Sequence, residues 1–298
     1  MPGNQPIIVI DRDTGEPFQE KILGEKWLRW AYQDSRSGLL ERILFRSTFV
    51  SKLIGKWYDL PLSRGKIGPV IEELSIDPSE FAEPVESYRT FNEFFIRQLK
   101  PDARPFNTDP ESLACPADGR TLVFPSLEED MFAPVKGRRF SIRKMLPVHA
   151  EYFVNGPLAI VRLCPADYHR YHFPCAGEVI EYQDIDGTLH SVNPLALASG
   201  PDVLGDNKRS YTLINNEYVG NICIMEVGAF GVGGIVNTRR SGHVDKMDEK
   251  GWFKFGGSTI VLMFERGRVN FSEDLLKNSS AGLETLVKAG QPLATAHL

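Results

Sequence analysis

The stretch Phe253-Lys254-Phe255-Gly256-Gly257-Ser258-Thr259-Ile260-Val261-Leu262 decides how this chain is read. Apolar residues lead into it and away from it, the pattern of a strand with buried faces. Two glycines and two hydroxyl residues interrupt the run. Glycine weakens a strand interior and marks places where another group comes close to the backbone. Ser258 is therefore offered on bare backbone, with little bulk around the Gly257–Ser258 peptide bond. Attack by Ser258 Oγ on the preceding carbonyl needs that access. Taken alone, the same residues read as a β-bulge or a tight turn, so the rest of the chain has to decide.

From about residue 113 onward the pattern matches that strand. Short apolar runs at Thr121–Phe124, Leu158–Leu163, Glu178–Tyr182, Tyr218–Val227, Gly234–Asn237 and Thr259–Phe264 are separated by Gly, Pro, Asn and Asp. This density predicts a mainly antiparallel β domain over residues 111–298. A short helix is expected at Ser141–Leu146, and a helix or loop after Ser272. Before this domain, Thr90-Phe91-Asn92-Glu93 reads as a capping box opening a helix that ends before Pro101. Ile7–Ile10 followed by Asp11–Gly15 reads as a hairpin arm or tail. The fold class expected is α+β, with an N-terminal helical, membrane-facing region over residues 1–110.

That N-terminal expectation rests on residues 21–66, which hold ten basic and four acidic residues. The segment is +6 in a chain of net charge −5. Leu39, Ile43, Val50, Ile54 and Trp57 recur at helical spacing, and Trp27, Trp30 and Trp57 are three of the four tryptophans. A basic amphipathic helix carrying tryptophans suits an anionic membrane surface, and equally an ordinary helical cap with its charges in water. No run reaches the roughly 18 apolar residues of a membrane span, and the N-terminus has no signal-peptide pattern. The place expected is the cytoplasm. The negative net charge gives no case for nucleic acid. Cys115, Cys164, Cys175 and Cys223 lack CxxC spacing and read as buried thiols.

Three pieces carry chemistry. Pro116-Ala117-Asp118-Gly119-Arg120 sets an aspartate in a turn. Asp167-Tyr168-His169-Arg170-Tyr171-His172 carries two of the six histidines three residues apart. They face opposite ways on a strand and share a face on a helical turn. No third ligand follows at a metal-binding spacing, so no metal is expected. With Ser258 the set supplies a carboxylate, an imidazole and a hydroxyl, the parts that activate a serine. A serine hydrolase fits that list, but Gly257-Ser258-Thr259-Ile260 is not a G-x-S-x-G elbow.

These residues together resemble the phosphatidylserine decarboxylase family, pyruvoyl-dependent enzymes that make phosphatidylethanolamine. The resemblance runs from about residue 88 to 265. It is carried by Phe91-Asn92-Glu93-Phe94-Phe95 with Arg97 and Leu99, Ala103-Arg104-Pro105, Pro116-Ala117-Asp118-Gly119, Tyr168-His169-Arg170-Tyr171-His172, Val192-Asn193-Pro194, Asn216-Glu217, and Lys254-Phe255-Gly256-Gly257-Ser258-Thr259. Gly256 matches the branch with glycine at this position; other members carry leucine.

The resemblance implies a self-processing proenzyme. Ser258 attacks the carbonyl of Gly257, an ester forms, and elimination followed by hydrolysis leaves a pyruvoyl group. The products are a β chain of residues 1–257 and an α chain of residues 258–298. Asp118 orients His172, which takes the proton from Ser258, and His169 serves protonation of the substrate carbon after CO2 leaves. Tyr168 would help position the substrate. The pyruvoyl group would form a Schiff base with phosphatidylserine, and decarboxylation α to an amine needs such an electron sink. A lipid substrate favours the membrane reading of the N-terminal segment, peripheral on the cytoplasmic face of the cell membrane. A homodimer is an assembly this reading allows. The competing readings are a pyruvoyl-dependent decarboxylase of a free amino acid, a serine hydrolase, and a non-catalytic membrane adaptor.

Overall fold

A computed structural model describes residues 7–21, 53, 55–126, 130–133, 138–188, 203–229, 234–256 and 258–297. In chain order, the first strands are β1 (Ile8–Asp11), β2 (Pro17–Gln19), β3 (Ser112–Ala114), β4 (Gly119–Phe124), β5 (Asp130–Ala133) and β6 (Arg138–Ser141). Next come β7 (Leu158–Leu163), β8 (Arg170–His172), β9 (Gly177–Ile185), β10 (Arg209–Asn216), β11 (Gly220–Gly228) and β12 (Ile235–Asn237). The last are β13 (Gly242–Val244), β14 (Glu249–Phe253), β15 (Ser258–Phe264), β16 (Val269–Phe271), β17 (Glu284–Val287) and β18 (Pro292–Ala296). The α-helices among the described residues are short: α1 (Ile67–Leu74), α2 (Phe91–Phe95), α3 (Ile142–Met145), α4 (Val203–Asp206) and α5 (Glu273–Ser280).

Ten strands form one sheet in the order β13-β9-β10-β11-β15-β7-β4-β17-β1-β2. Neighbours run antiparallel except β1 with β17, whose parallel register sets Val9 against Glu284. β15 lies near the centre because its residues Ser258 to Phe264 are all buried. Successive side chains of a strand point to opposite faces. Ile260, Leu262 and Phe264 enter one core with Val161, Leu163, Tyr171, Phe173 and Phe253. Val261 and Met263 enter a second core with Met225, Tyr211, Ile142 and Phe153. The small sheet β12-β14-β8 covers the first face. A fully buried ion pair, Lys250 Nζ to Glu226 Oε1 at 2.8 Å, ties the two sheets together. Asn237 donates to Glu226 and accepts from Lys250 within the same network.

A third core lies under the helical unit that precedes the sheet. α1 contributes Ile67, Val70 and Leu74, and α2 contributes Phe91, Phe94 and Phe95. Each fully buried Phe side chain contributes about 1.5–3 kcal/mol. Thr90 caps α2 by accepting the Glu93 backbone N–H at 3.1 Å. The Glu93 carboxylate returns to the Arg89 N–H at 2.6 Å, one residue before the cap, so the box closes one position early.

The described residues are thus mostly β, antiparallel, with few helices, as expected. The β1–β2 hairpin is present and joins the main sheet rather than hanging free. The stretch after Ser272 holds α5 and also two strands that the sequence reading left out, β17 and β18. The amphipathic segment around Leu39 to Ile54, with Trp27 and Trp30, lies outside the described residues except Leu53. Among the described residues no helix is long and apolar enough to cross a membrane.

Candidate active site

Three neighbouring strand ends meet at one edge of the large sheet. Ser258, the first residue of β15, is registered against Leu163 at the end of β7 and Gly228 at the end of β11. β7 in turn sets Arg162 against Arg120, which places Asp118 and Cys164 side by side just past the strand ends. The chain leaves β7, turns through residues 164–169, and enters β8. Asp118 and both histidines therefore come to the end of the sheet where Ser258 sits.

Ser258 is fully buried, and its Oγ has no hydrogen-bond partner among the described residues. A buried hydroxyl without a partner loses the hydration it had in water and gains nothing in return. Its cross-strand neighbour Gly228 has no side chain to crowd it. Two residues before Ser258, Gly256 has φ +138, a conformation natural to glycine and strained for other residues.

His169 is buried in the turn and stacks on Phe95 with ring centroids 3.8 Å apart. Its Nε2 donates to the Cys164 carbonyl at 2.9 Å. That bond leaves Nδ1 as the lone-pair nitrogen, and Nδ1 has no partner among the described residues. Burial, reinforced by the positive charge of Arg97, pushes the imidazole down to about 3. His169 is therefore neutral near pH 7, with Nδ1 as its acceptor nitrogen. The same Phe95 ring packs edge-on against Phe255, three residues before Ser258. The turn carrying His169 is braced by Arg97 Nη2 on the Ala166 and Asp167 carbonyls, and by the Asp167 carboxylate on the Cys164 N–H. Arg120 pairs with Asp167 and with Glu20, whose other carboxylate oxygen meets Arg162 at 3.0 Å.

His172 lies on β8, stacked on Tyr168 at 5.9 Å. Its Nδ1 donates to the Met247 carbonyl at 3.0 Å, so Nε2 carries the lone pair. Burial lowers its basicity, while the Met247 bond and the negative charges of Glu249 and Asp118 oppose that. Asp118 thus acts on His172 through its field. Its own carboxylate is taken by Arg104, at 2.8 and 2.6 Å, and by the Ala289 N–H at 2.9 Å. No hydrogen bond joins Asp118 to His172, or His172 to Ser258, among the described residues. The four candidates are gathered at one end of the sheet, and Gly257 lies outside the described residues.

Sequence reasoning missed two groups here. Arg104 was visible in Ala103-Arg104-Pro105 but carried no signal of its partner. Met247, which aims its carbonyl at His172 from a left-handed conformation of φ +65, carried no signal at all. The four cysteines are all buried and free, and among the described residues no cluster of His, Cys, Asp and Glu could hold a metal.

Residues 91–295 match the family model described as phosphatidylserine decarboxylase. The chain is 36% identical over 292 residues to a phosphatidylserine decarboxylase proenzyme of Clostridium beijerinckii, covering 97% of this chain and 99% of that one. It is 37% identical over 291 residues to a protein of the same name from Fusobacterium nucleatum, at 96% and 97% coverage. The Chlamydia trachomatis protein of that name is 38% identical over 290 residues, covering 96% of each chain.

Proposed function

The chain belongs to the phosphatidylserine decarboxylase family, and on that ground we propose that it is a proenzyme that cuts itself at Gly257–Ser258 and then decarboxylates phosphatidylserine. The observation that carries the reading is the buried, unpartnered Ser258 hydroxyl at the start of β15, at the end of the sheet to which two buried imidazoles of lowered basicity also come.

In self-cleavage, Ser258 Oγ attacks the Gly257 carbonyl carbon. The hydroxyl proton goes to His172 Nε2, whose lone pair is held ready by the Met247 carbonyl on the far nitrogen. His172 returns that proton to the Ser258 nitrogen as the C–N bond breaks, and an ester replaces the amide. Elimination releases the residue 1–257 chain as a carboxylate, and water displaces the serine nitrogen as ammonia. The site fits a keto group made from Ser258: the orphaned Oγ has no structural duty to lose, and His169 Nδ1, at the same end of the sheet, is an acceptor without a partner among the described residues. Such a group supplies an electron sink for the charge left when CO2 departs. His169, starting neutral, would accept the proton that the substrate ammonium gives up and return it to the substrate carbon. Phe95, Phe255 and the bracing of the 164–169 turn keep water away from that exchange.

The lipid substrate requires access to a membrane. Leu53, Trp57, Leu60 and Leu62 are exposed, Leu62 at 82%, and Lys56, Arg64 and Lys66 lie among them. These residues support peripheral attachment to the anionic cytoplasmic face of the cell membrane, at about 1 kcal/mol per basic residue near the surface. Intact-mass measurement and denaturing electrophoresis test the reading. The purified protein gives two chains of residues 1–257 and 258–298, the small one blocked to N-terminal sequencing. Ser258→Ala gives one chain and no CO2 from phosphatidylserine. A single unblocked polypeptide from the unmutated gene would refute the proposal.

A further inference from the structure

The peptide bond read above as scissile joins two separately anchored pieces. From Ser258 onward the chain is held by the large sheet. Before it, the chain is held by the helical unit. Asn92, on α2 and 2% exposed, accepts the Phe255 backbone N–H on Oδ1 at 2.9 Å. Its Nδ2 hydrogens go to Asp59 Oδ1 at 2.9 Å and to the Gly55 carbonyl at 3.3 Å. The whole amide is engaged. The Phe255 ring sits 4.1 Å from Tyr58, 5.1 Å from Phe95 and 5.2 Å from Phe91. Lys254 Nζ reaches Asp59 at 3.3 Å. Two glycines alone separate this clamp from Ser258.

We propose that Asn92 is a positioning residue for self-cleavage: by fixing Phe255 against the helical unit it sets where the Gly257 carbonyl stands relative to Ser258 Oγ. This rests on the scission assigned above. Glycines have wide backbone freedom, so Gly256-Gly257 cannot hold the carbonyl in line unless both flanks are fixed. A misplacement of about 1 Å in such an attack can cost on the order of 100-fold. Docking of residues 55–97 onto the sheet thereby becomes a condition for maturation. A precursor whose helical unit has not yet folded stays uncut, although its serine and histidines are present.

Cell-free translation followed by a chase measures the rate at which labelled precursor becomes two chains. Thermal unfolding of each substitution in a Ser258→Ala background reports folding separately. Asn92→Leu, close in size but without the amide, slows conversion at least tenfold while its unfolding midpoint stays near that of the parent. Asn92→Asp keeps the acceptor for Phe255 but sets a carboxylate against Asp59, and is also slow. Adding Asp59→Asn restores the donor from the other side and recovers the rate. A merely structural role would move the unfolding midpoints together with the rates, whereas positioning changes the rate between variants whose midpoints match. Equal rates for Asn92→Leu and the parent would overturn the proposal. If Asn92→Leu does not fold, the pair Asn92→Asp and Asn92→Asp with Asp59→Asn decides, and equal rates in those two overturn it. Failure of the unmutated chain to cut at all sinks the scission itself, which is a different result.

Discussion

Acidifying the uncut chain should destabilise it through His169, by an amount the burial of that ring sets. The unfolded imidazole binds a proton near 6.5, whereas the folded one is held down to about 3, first by burial and then by Arg97. Between those values the unfolded chain carries a proton that the folded chain refuses. Stability therefore falls as pH falls, by about 1.4 kcal/mol per unit. At about pH 4.5, two units below the free value, the loss from this residue is about 3 kcal/mol. The assay is urea unfolding of Ser258→Ala against Ser258→Ala with His169→Gln, followed by tryptophan fluorescence. Glutamine keeps a donor for the Cys164 carbonyl but does not titrate. Other groups, His172 among them, titrate in both chains, so the difference between the two curves isolates His169. The double variant should gain on the single one steadily below about pH 6.5. A difference that stays constant from about pH 7 to about pH 4.5 would show that the ring is not held neutral by its surroundings.

Two further outcomes follow from the same geometry. Lys250→Met should cost about 3–5 kcal/mol by stranding Glu226 in the core, and Lys250→Met with Glu226→Leu should recover most of it, as read by thermal unfolding. Trp57→Ser with Leu62→Ser should lower sedimentation with phosphatidylserine-containing liposomes about tenfold or more while leaving self-cleavage intact, since both side chains are exposed; undiminished binding would place the membrane contact elsewhere.

The strands were legible because their signals are local. Leu158–Leu163 and Thr259–Phe264 alternate or run apolar over one strand length, which encodes burial whatever the partner. The Thr90 cap was legible for the same reason, but α2 ends at Phe95, short of Leu99 and Pro101; Leu99 instead bridges to Phe81, a partner that local pattern does not record. The spacing of His169 and His172 left two geometries open, and the structure resolves it by putting one in a turn and the other on β8.

What the amino-acid order established alone was the β-rich class, the hydroxyl set behind two glycines, and the presence of a turn aspartate and two closely spaced histidines upstream of it. Pairing across distance came only with the folded chain. Asp118 finds Arg104 and Ala289, His172 finds Met247, and Asn92 finds Phe255 across 163 positions. The physical reason is that periodicity records which side of an element is buried, not which element lies against it. A polar group in the core takes the partner that strand order brings within about 3 Å, and strand order is a property of the whole sheet.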